Sequence, residues 1–122
     1  MLNRDDLKTH VQTITNVDAD VGSAIPENMR RFIYKIKATN LHNAANLLTL
    51  GKREDGAVGT TDIDYVQFAN EYDIWNDPDE LKEDAAPLYV IEGKGDTGDS
   101  YLRAVVANAT AYLIITYIDA PA

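Results

Sequence analysis

The chain has 122 residues and a mass of 13.5 kDa, enough for one hydrophobic core and too little for two, so a single domain is expected. Cysteine is absent, which excludes disulfide scaffolds, thiolate metal sites, iron–sulfur clusters and thiol nucleophiles. Twenty acidic against 11 basic residues give a net charge of −9, a field that repels phosphate backbones and argues against nucleic acid as a partner.

The composition favours strands. There are 14 Asp and ten Thr but only 6 Glu and two Ser, and Asp and Thr avoid helix interiors in favour of turns and strands. In chain order, Val11, Thr13 and Thr15 alternate with Gln12 and Ile14, which predicts a strand ending in an Asp18-Ala-Asp-Val-Gly turn. Met29 to Ala38 alternates most clearly: Phe32, Tyr34, Ile36 and Ala38 define an expected core face, and Arg31, Ile33, Lys35 and Lys37 the opposite one. Asn40 to Ala45 reads as a turn, Asn46 to Gly51 as an apolar strand, and Lys52 to Gly59 as a loop. Ile63 to Ala69 and Tyr72 to Trp75 give two more short strands. Pro78 with the acids after it suits one helical turn, which Pro87 ends. Leu88 to Glu92 is strand, Gly93 to Asp99 a Gly/Asp loop, Tyr101 to Ala107 strand and Asn108 to Thr110 a turn. Ala111 to Asp119 is apolar on both sides, the mark of a strand central in its sheet or covered by a partner.

Seven to eight short strands, turn signals about every ten residues and no helical run long enough for a βαβ crossover predict an all-β fold. The expected architecture is an antiparallel β-sandwich, jelly-roll-like, with at most one short helical turn. The longest apolar run, Ala111 to Ile115, falls far short of the roughly 20 residues of a membrane-spanning helix. The start of the chain lacks the apolar stretch of a secretory signal, so synthesis in a cytoplasm and no membrane partner are expected.

Motifs that carry chemistry are sparse. His10 and His42 have no metal-ligand spacing, and Ser23 and Ser100 have no nucleophile-elbow context. Asp62 and Asp64, two apart on a strand, would share a face, as an acid/base pair requires, but a solvated strand entry is the favoured reading of them. Asp73 to Glu80 and the Gly93 to Asp99 loop are rich in oxygen ligands but lack the EF-hand order, and Gly93-Lys-Gly-Asp-Thr-Gly lacks the P-loop ending. No catalytic residue, cofactor or metal is expected. Arg30, Arg31, Lys35 and Lys37 place four of the 11 bases within eight residues, and strand alternation would line up Arg31, Lys35 and Lys37 as a basic stripe on a negative body. Such a stripe suits contact with an acidic neighbour, and a solvated face with scattered ion pairs is the plainer alternative.

The strand patterns Arg31-Phe-Ile-Tyr-Lys-Ile-Lys-Ala-Thr-Asn, Leu47-Leu-Thr-Leu-Gly, Pro87-Leu-Tyr-Val-Ile-Glu-Gly, Tyr101-Leu-Arg-Ala-Val-Val and Tyr112-Leu-Ile-Ile-Thr-Tyr-Ile-Asp resemble those of virion structural proteins. The likeness is to the capsid decoration, or cement, proteins of tailed viruses. The resemblance implies a non-catalytic homo-oligomer, a trimer by preference, that sits on the capsid surface and bridges neighbouring major capsid subunits. It also implies an N-terminal arm-like segment with a first strand at residues 1–26, followed by one β-sandwich domain at 27–122. Arg31, Lys35 and Lys37, together with Tyr112, Ile114 and Ile118 on the outer side of the last strand, are then the expected partner contacts. The rival expectation is a ligand-binding β-sandwich, for carbohydrate or calcium, with Trp75, Tyr72 and Tyr89 as stacking faces. An enzyme ranks third.

Overall fold

A computed structural model describes residues 6–53, 61–77, 85–93 and 100–121. The described residues form an antiparallel β-sandwich of nine strands: β1 (Lys8–Thr15), β2 (Ala19–Ile25), β3 (Met29–Asn40), β4 (Asn46–Arg53), β5 (Thr61–Phe68), β6 (Ile74–Asp77), β7 (Tyr89–Glu92), β8 (Ser100–Val106) and β9 (Thr110–Pro121). One sheet has the order β1-β9-β3-β6, with β7 also paired to β3, and the other the order β2-β8-β4-β5. β6 and β7 run in line along the same edge, opposite Ile36–Thr39 and Arg30–Ile33 of β3 respectively. Counted as one interrupted strand, they complete a nested pairing: first strand with last, second with second-last, third with third-last, and fourth with fifth.

The core between the sheets follows from the period-two alternation of branched side chains. Along β8, Ser100, Leu102, Ala104 and Val106 are buried and the residues between them half-buried; along β9, Ala111, Leu113 and Ile115 are buried. Ile14, Val21, Ile33, Ile36, Leu48, Leu50, Ile91, Leu102, Leu113 and Ile115 are each at most 1% exposed. Every such side chain contributes about 1.5–3 kcal/mol through burial. The doubly apolar β9 is central, between β1 and β3, as its sequence predicts.

Two buried asparagines fix the loops at one end. Asn40 donates from Nδ2 to the carbonyls of Ala44 and Asn70, and its Oδ1 accepts from the His42 amide and from Asn46 Nδ2. Asn46 bridges to Asn108 in both directions, donating to its carbonyl at 2.8 Å and accepting from its amide at 3.0 Å. Buried polar groups without such partners would each cost about 1–3 kcal/mol.

Three sequence expectations change. The Asp18-Ala-Asp-Val-Gly turn is the start of β2, because Val21 and Ile25 are core residues while the outward Asp20 is neutralised by arginines. Segment 1–26, expected to be arm-like, therefore supplies an edge strand to each sheet, with β1 paired to β9 and β2 to β8. The core face of β3 switches: a register shift between Ile33 and Lys35 leaves Tyr34 as the extra residue, so Arg31 and Ile33 face inward before it and Ile36 and Ala38 after it. Phe32 and Tyr34, expected in the core, are only half-buried. All but the last residue of the expected helical turn at 79–85, and most of the Lys52 to Gly59 and Gly93 to Asp99 loops, lie outside the described residues.

Candidate assembly face

In an antiparallel pair, residues directly opposite each other share a face. From β9, Tyr112, Ile114, Thr116 and Ile118 point away from the core, and β3 sets Thr39, Lys37, Lys35 and Phe32 opposite them in turn. β1 adds Val11 opposite Ile114 and Thr13 opposite Tyr112. β6 adds Ile74 opposite Thr39, and β7 adds Val90 opposite Phe32 and Glu92 opposite Arg30. The outer face of the five-stranded sheet thus carries aliphatic, aromatic or threonine side chains on every strand, with Lys35, Lys37 and Asn76 set among them. Val11, Ile74, Val90 and Tyr112 on it are 40–57% exposed, and these are four of the eight large exposed apolar residues among those described.

Five of the six contact residues expected from sequence meet here: Lys35, Lys37, Tyr112, Ile114 and Ile118. Arg31 does not. It is 1% exposed and turned into the core, where its guanidinium makes two 2.8 Å hydrogen bonds to the Asp119 carboxylate and one of 2.8 Å to the Ser23 carbonyl, and lies 4.4 Å from the centre of the Tyr117 ring. The expected three-residue basic stripe is corrected accordingly: the bulge at Tyr34 places Arg31 on the opposite side from Lys35 and Lys37. Arg30 takes the outward place and forms a 3.3 Å ion pair with Glu92.

Charge on this face contrasts with the rest of the chain. Among its described residues, Arg30, Lys35 and Lys37 stand against a single acid, Glu92, in a protein with 20 acidic side chains. The opposite outer face is closed by its own ions. There, Arg103 bonds both Asp18, at 3.0 Å, and Asp20; Arg53 pairs with Asp20 at 3.5 Å; and the Arg53 guanidinium lies 5.2 Å from the centre of the Tyr101 ring.

The other sequence candidates disperse. A register shift between Leu50 and Gly51 separates Asp62 from Asp64. Asp62 accepts a 2.8 Å hydrogen bond from the exposed Tyr65 hydroxyl, and Asp64 accepts one from the Tyr89 hydroxyl of the facing sheet. Burial, followed by that contact with Asp64, pushes the Tyr89 hydroxyl pKa well above the ordinary tyrosine value. Asp73 spends one carboxylate oxygen on the amides of Ala69 and Asn70, both at 2.9 Å. Tyr72, Trp75 and Tyr89 form no shared stacking platform: Tyr72 is 65% exposed in a loop, whereas Trp75 and Tyr89 pack against the core. His10 bonds Gln12 at 2.8 Å, and no group of three His, Asp or Glu side chains among the described residues is placed to hold a metal ion.

Sequence reasoning missed Val11, Phe32, Ile74 and Val90 on this face. The alternation of Val11 with Thr13 was a readable signal for the first, whereas Phe32 needed the bulge to be foreseen. No family model, curated protein or solved structure matches this chain.

Proposed function

We propose that the chain is a virion structural protein: a capsid decoration subunit, acting without catalysis, that seats the outer face of its five-stranded sheet on neighbouring major capsid subunits. The observation that carries this is the exposed apolar and threonine field across all strands of one sheet, with bases in excess of acids on a chain of net charge −9. Exposed apolar surface of this extent is a signature of protein contact. Its charge excess favours an acidic partner surface. We read the nested strand pairing as a jelly-roll winding, an architecture common among capsid proteins, which is consistent with this role at the level of fold. Many copies on a repeating shell would add weak contacts into firm attachment.

The test is co-expression with the major capsid protein encoded by the same genome, followed by sedimentation of the assembled shells. Stoichiometric co-sedimentation that is lost on Ile114→Asp and weakened on Lys37→Glu supports the proposal. A chain that stays in the supernatant, or binding unchanged in both variants, overturns it.

A further inference from the structure

The four sheet edges are unequally protected. β5 carries Asp62 and Asp64, and its pairing with β4 shifts register between Leu50 and Gly51. β2 is broken by a register shift between Val21 and Ile25, where Gly22 adopts a φ of +76°. The β6/β7 edge consists of two strands of four residues each. Charges, bulges and short strands are the devices that stop sheet edges from pairing with other chains. β1 has no bulge, is not short, and carries a charge only at its first residue. Its eight residues, Lys-Thr-His-Val-Gln-Thr-Ile-Thr, pair with β9 without a shift, contain no Gly, Pro or acid, and carry their one lysine at the end of the strand. β-branched side chains make up five of the eight, the composition that fits an extended strand.

We propose that β1 pairs antiparallel with β1 of a second copy, across a two-fold axis near Val11 and Gln12, fusing two five-stranded sheets into one. The strand is self-complementary in this arrangement. Side-chain parity requires that opposed residues share a face, so Thr9, Val11 and Thr13 of both copies stay on the outer face. With Val11 on the axis, Thr9 opposes Thr13 and His10 opposes Gln12. Each Lys8 lies at a far end opposite Ile14, so no like charges meet. A second copy fits better than a foreign strand because the same eight residues supply both halves of the match. Fusion also joins the two outer faces into one double-width surface, and the two-fold axis favours pairs over the trimer implied by the resemblance. The contact needs no shell, so its failure and the failure of the decoration role are separately observable.

The absence of cysteine supplies the test, since a single introduced thiol is unique in the chain. Val11 and, on the β5 edge, Gln67 are both exposed, so Val11→Cys and the control Gln67→Cys should both fold. Opposed Cβ atoms in an antiparallel pair lie about 4.5–5.5 Å apart, close enough for a disulfide after slight adjustment. The expected result is interchain disulfide formation roughly tenfold faster or more for Val11→Cys than for Gln67→Cys, through the raised effective concentration. Wild-type chain should sediment as a concentration-dependent dimer, and the double variant Thr9→Lys/Thr13→Lys should shift to monomer while keeping the melting temperature that wild type has at dilutions where it too is monomeric. A wild-type monomer at the highest soluble concentration, equal cross-linking at β1 and β5, or an undiminished dimer in the double lysine variant would overturn the proposal.

Discussion

Arg31 and Asp119 face each other across the β3–β9 register and close a two-pronged ion pair, Nε to Oδ1 and Nη2 to Oδ2, both at 2.8 Å. The side chains are 1% and 12% exposed, so each partner is the other's substitute for water. Removing one partner strands a buried charge, and Asp119→Ala should cost about 3–5 kcal/mol. Arg31→Met should cost somewhat less, because Asp119 lies nearer solvent, although it also releases the Ser23 carbonyl that Arg31 holds from β2. The double variant Arg31→Met/Asp119→Leu should be markedly more stable than the two single losses added together, since neither charge remains to be stranded. Urea unfolding of the four proteins checks this. A double variant as damaged as the sum would show that the two residues do not act as a pair.

Tyr89 and Asp64, by contrast, link the two facing sheets, and their contact predicts an alkaline weakness. Burial and the neighbouring carboxylate favour the neutral hydroxyl in the fold, which raises its pKa above the unfolded value of about 10. A raised folded pKa gives stabilisation that is complete below the unfolded value and is lost as pH climbs above it. Stability should therefore decline from about pH 10 upward, and Tyr89→Phe should flatten that decline while costing about 1 kcal/mol at neutral pH for the lost hydrogen bond. Tyr65, raised by its hydrogen bond to Asp62 but 59% exposed, is the control. If Tyr65→Phe flattened the slope as much as Tyr89→Phe, burial would not be the cause.

Two glycines should respond differently to alanine. A Cβ at Gly93 would lie 2.1 Å from the Pro26 carbonyl oxygen and 2.8 Å from that of Ile25, and backbone oxygens cannot step aside. Gly93 also exchanges hydrogen bonds with the β2–β3 turn, accepting from the Asn28 amide and donating to the Met29 carbonyl, so the strain would spread into that turn. At Gly22 a Cβ meets nothing closer than 3.5 Å, and only the φ of +76° opposes a side chain. Gly22→Ala should cost about 1–2 kcal/mol. Gly93→Ala should exceed about 3 kcal/mol, the upper end for ordinary substitutions. Thermal melts that ranked the two in the reverse order would show that the turn can yield.

Much of the fold was legible because strands with one buried face announce themselves by alternation, as β3 and β8 do, and because a doubly apolar strand such as β9 belongs in the middle of its sheet or under a partner. The lapses have one physical origin. A bulge shifts side-chain parity without leaving a mark in composition, and bulges at Tyr34 and between Leu50 and Gly51 moved Arg31 inward and parted Asp62 from Asp64. β2 was misread for a related reason: its Asp18 and Asp20 look like turn acids until Arg103 and Arg53, distant in sequence, are seen beside them. For the candidate face, Lys35, Lys37 and the outer positions of β9 were readable from alternation after the bulge. Val90 and Ile74 were not, because strands of four residues carry too little pattern to assign a side.

The mixture on that face sets how its binding should respond to salt. Three bases against one acid give a small charge excess, and the Arg30–Glu92 pair cancels part of it locally, whereas the apolar side chains spread across all its strands. Electrostatic attraction between exposed groups fades as the Debye length shrinks to about 3 Å at 1 M salt, but apolar burial does not. Under the proposed role, attachment to capsid shells should therefore weaken only modestly between low and about 1 M salt, with slower association as the main effect. Lys37→Glu should lower binding at low salt and converge on wild type at high salt, while Ile114→Asp should abolish it at every salt concentration. Both positions are outward on β3 and β9, so the unfolding free energy of Lys37→Glu should stay within about 0.5 kcal/mol of wild type. Co-sedimentation across a salt series reads both effects, and steep loss of wild-type binding at high salt would mean that the lysines, not the apolar field, hold the contact.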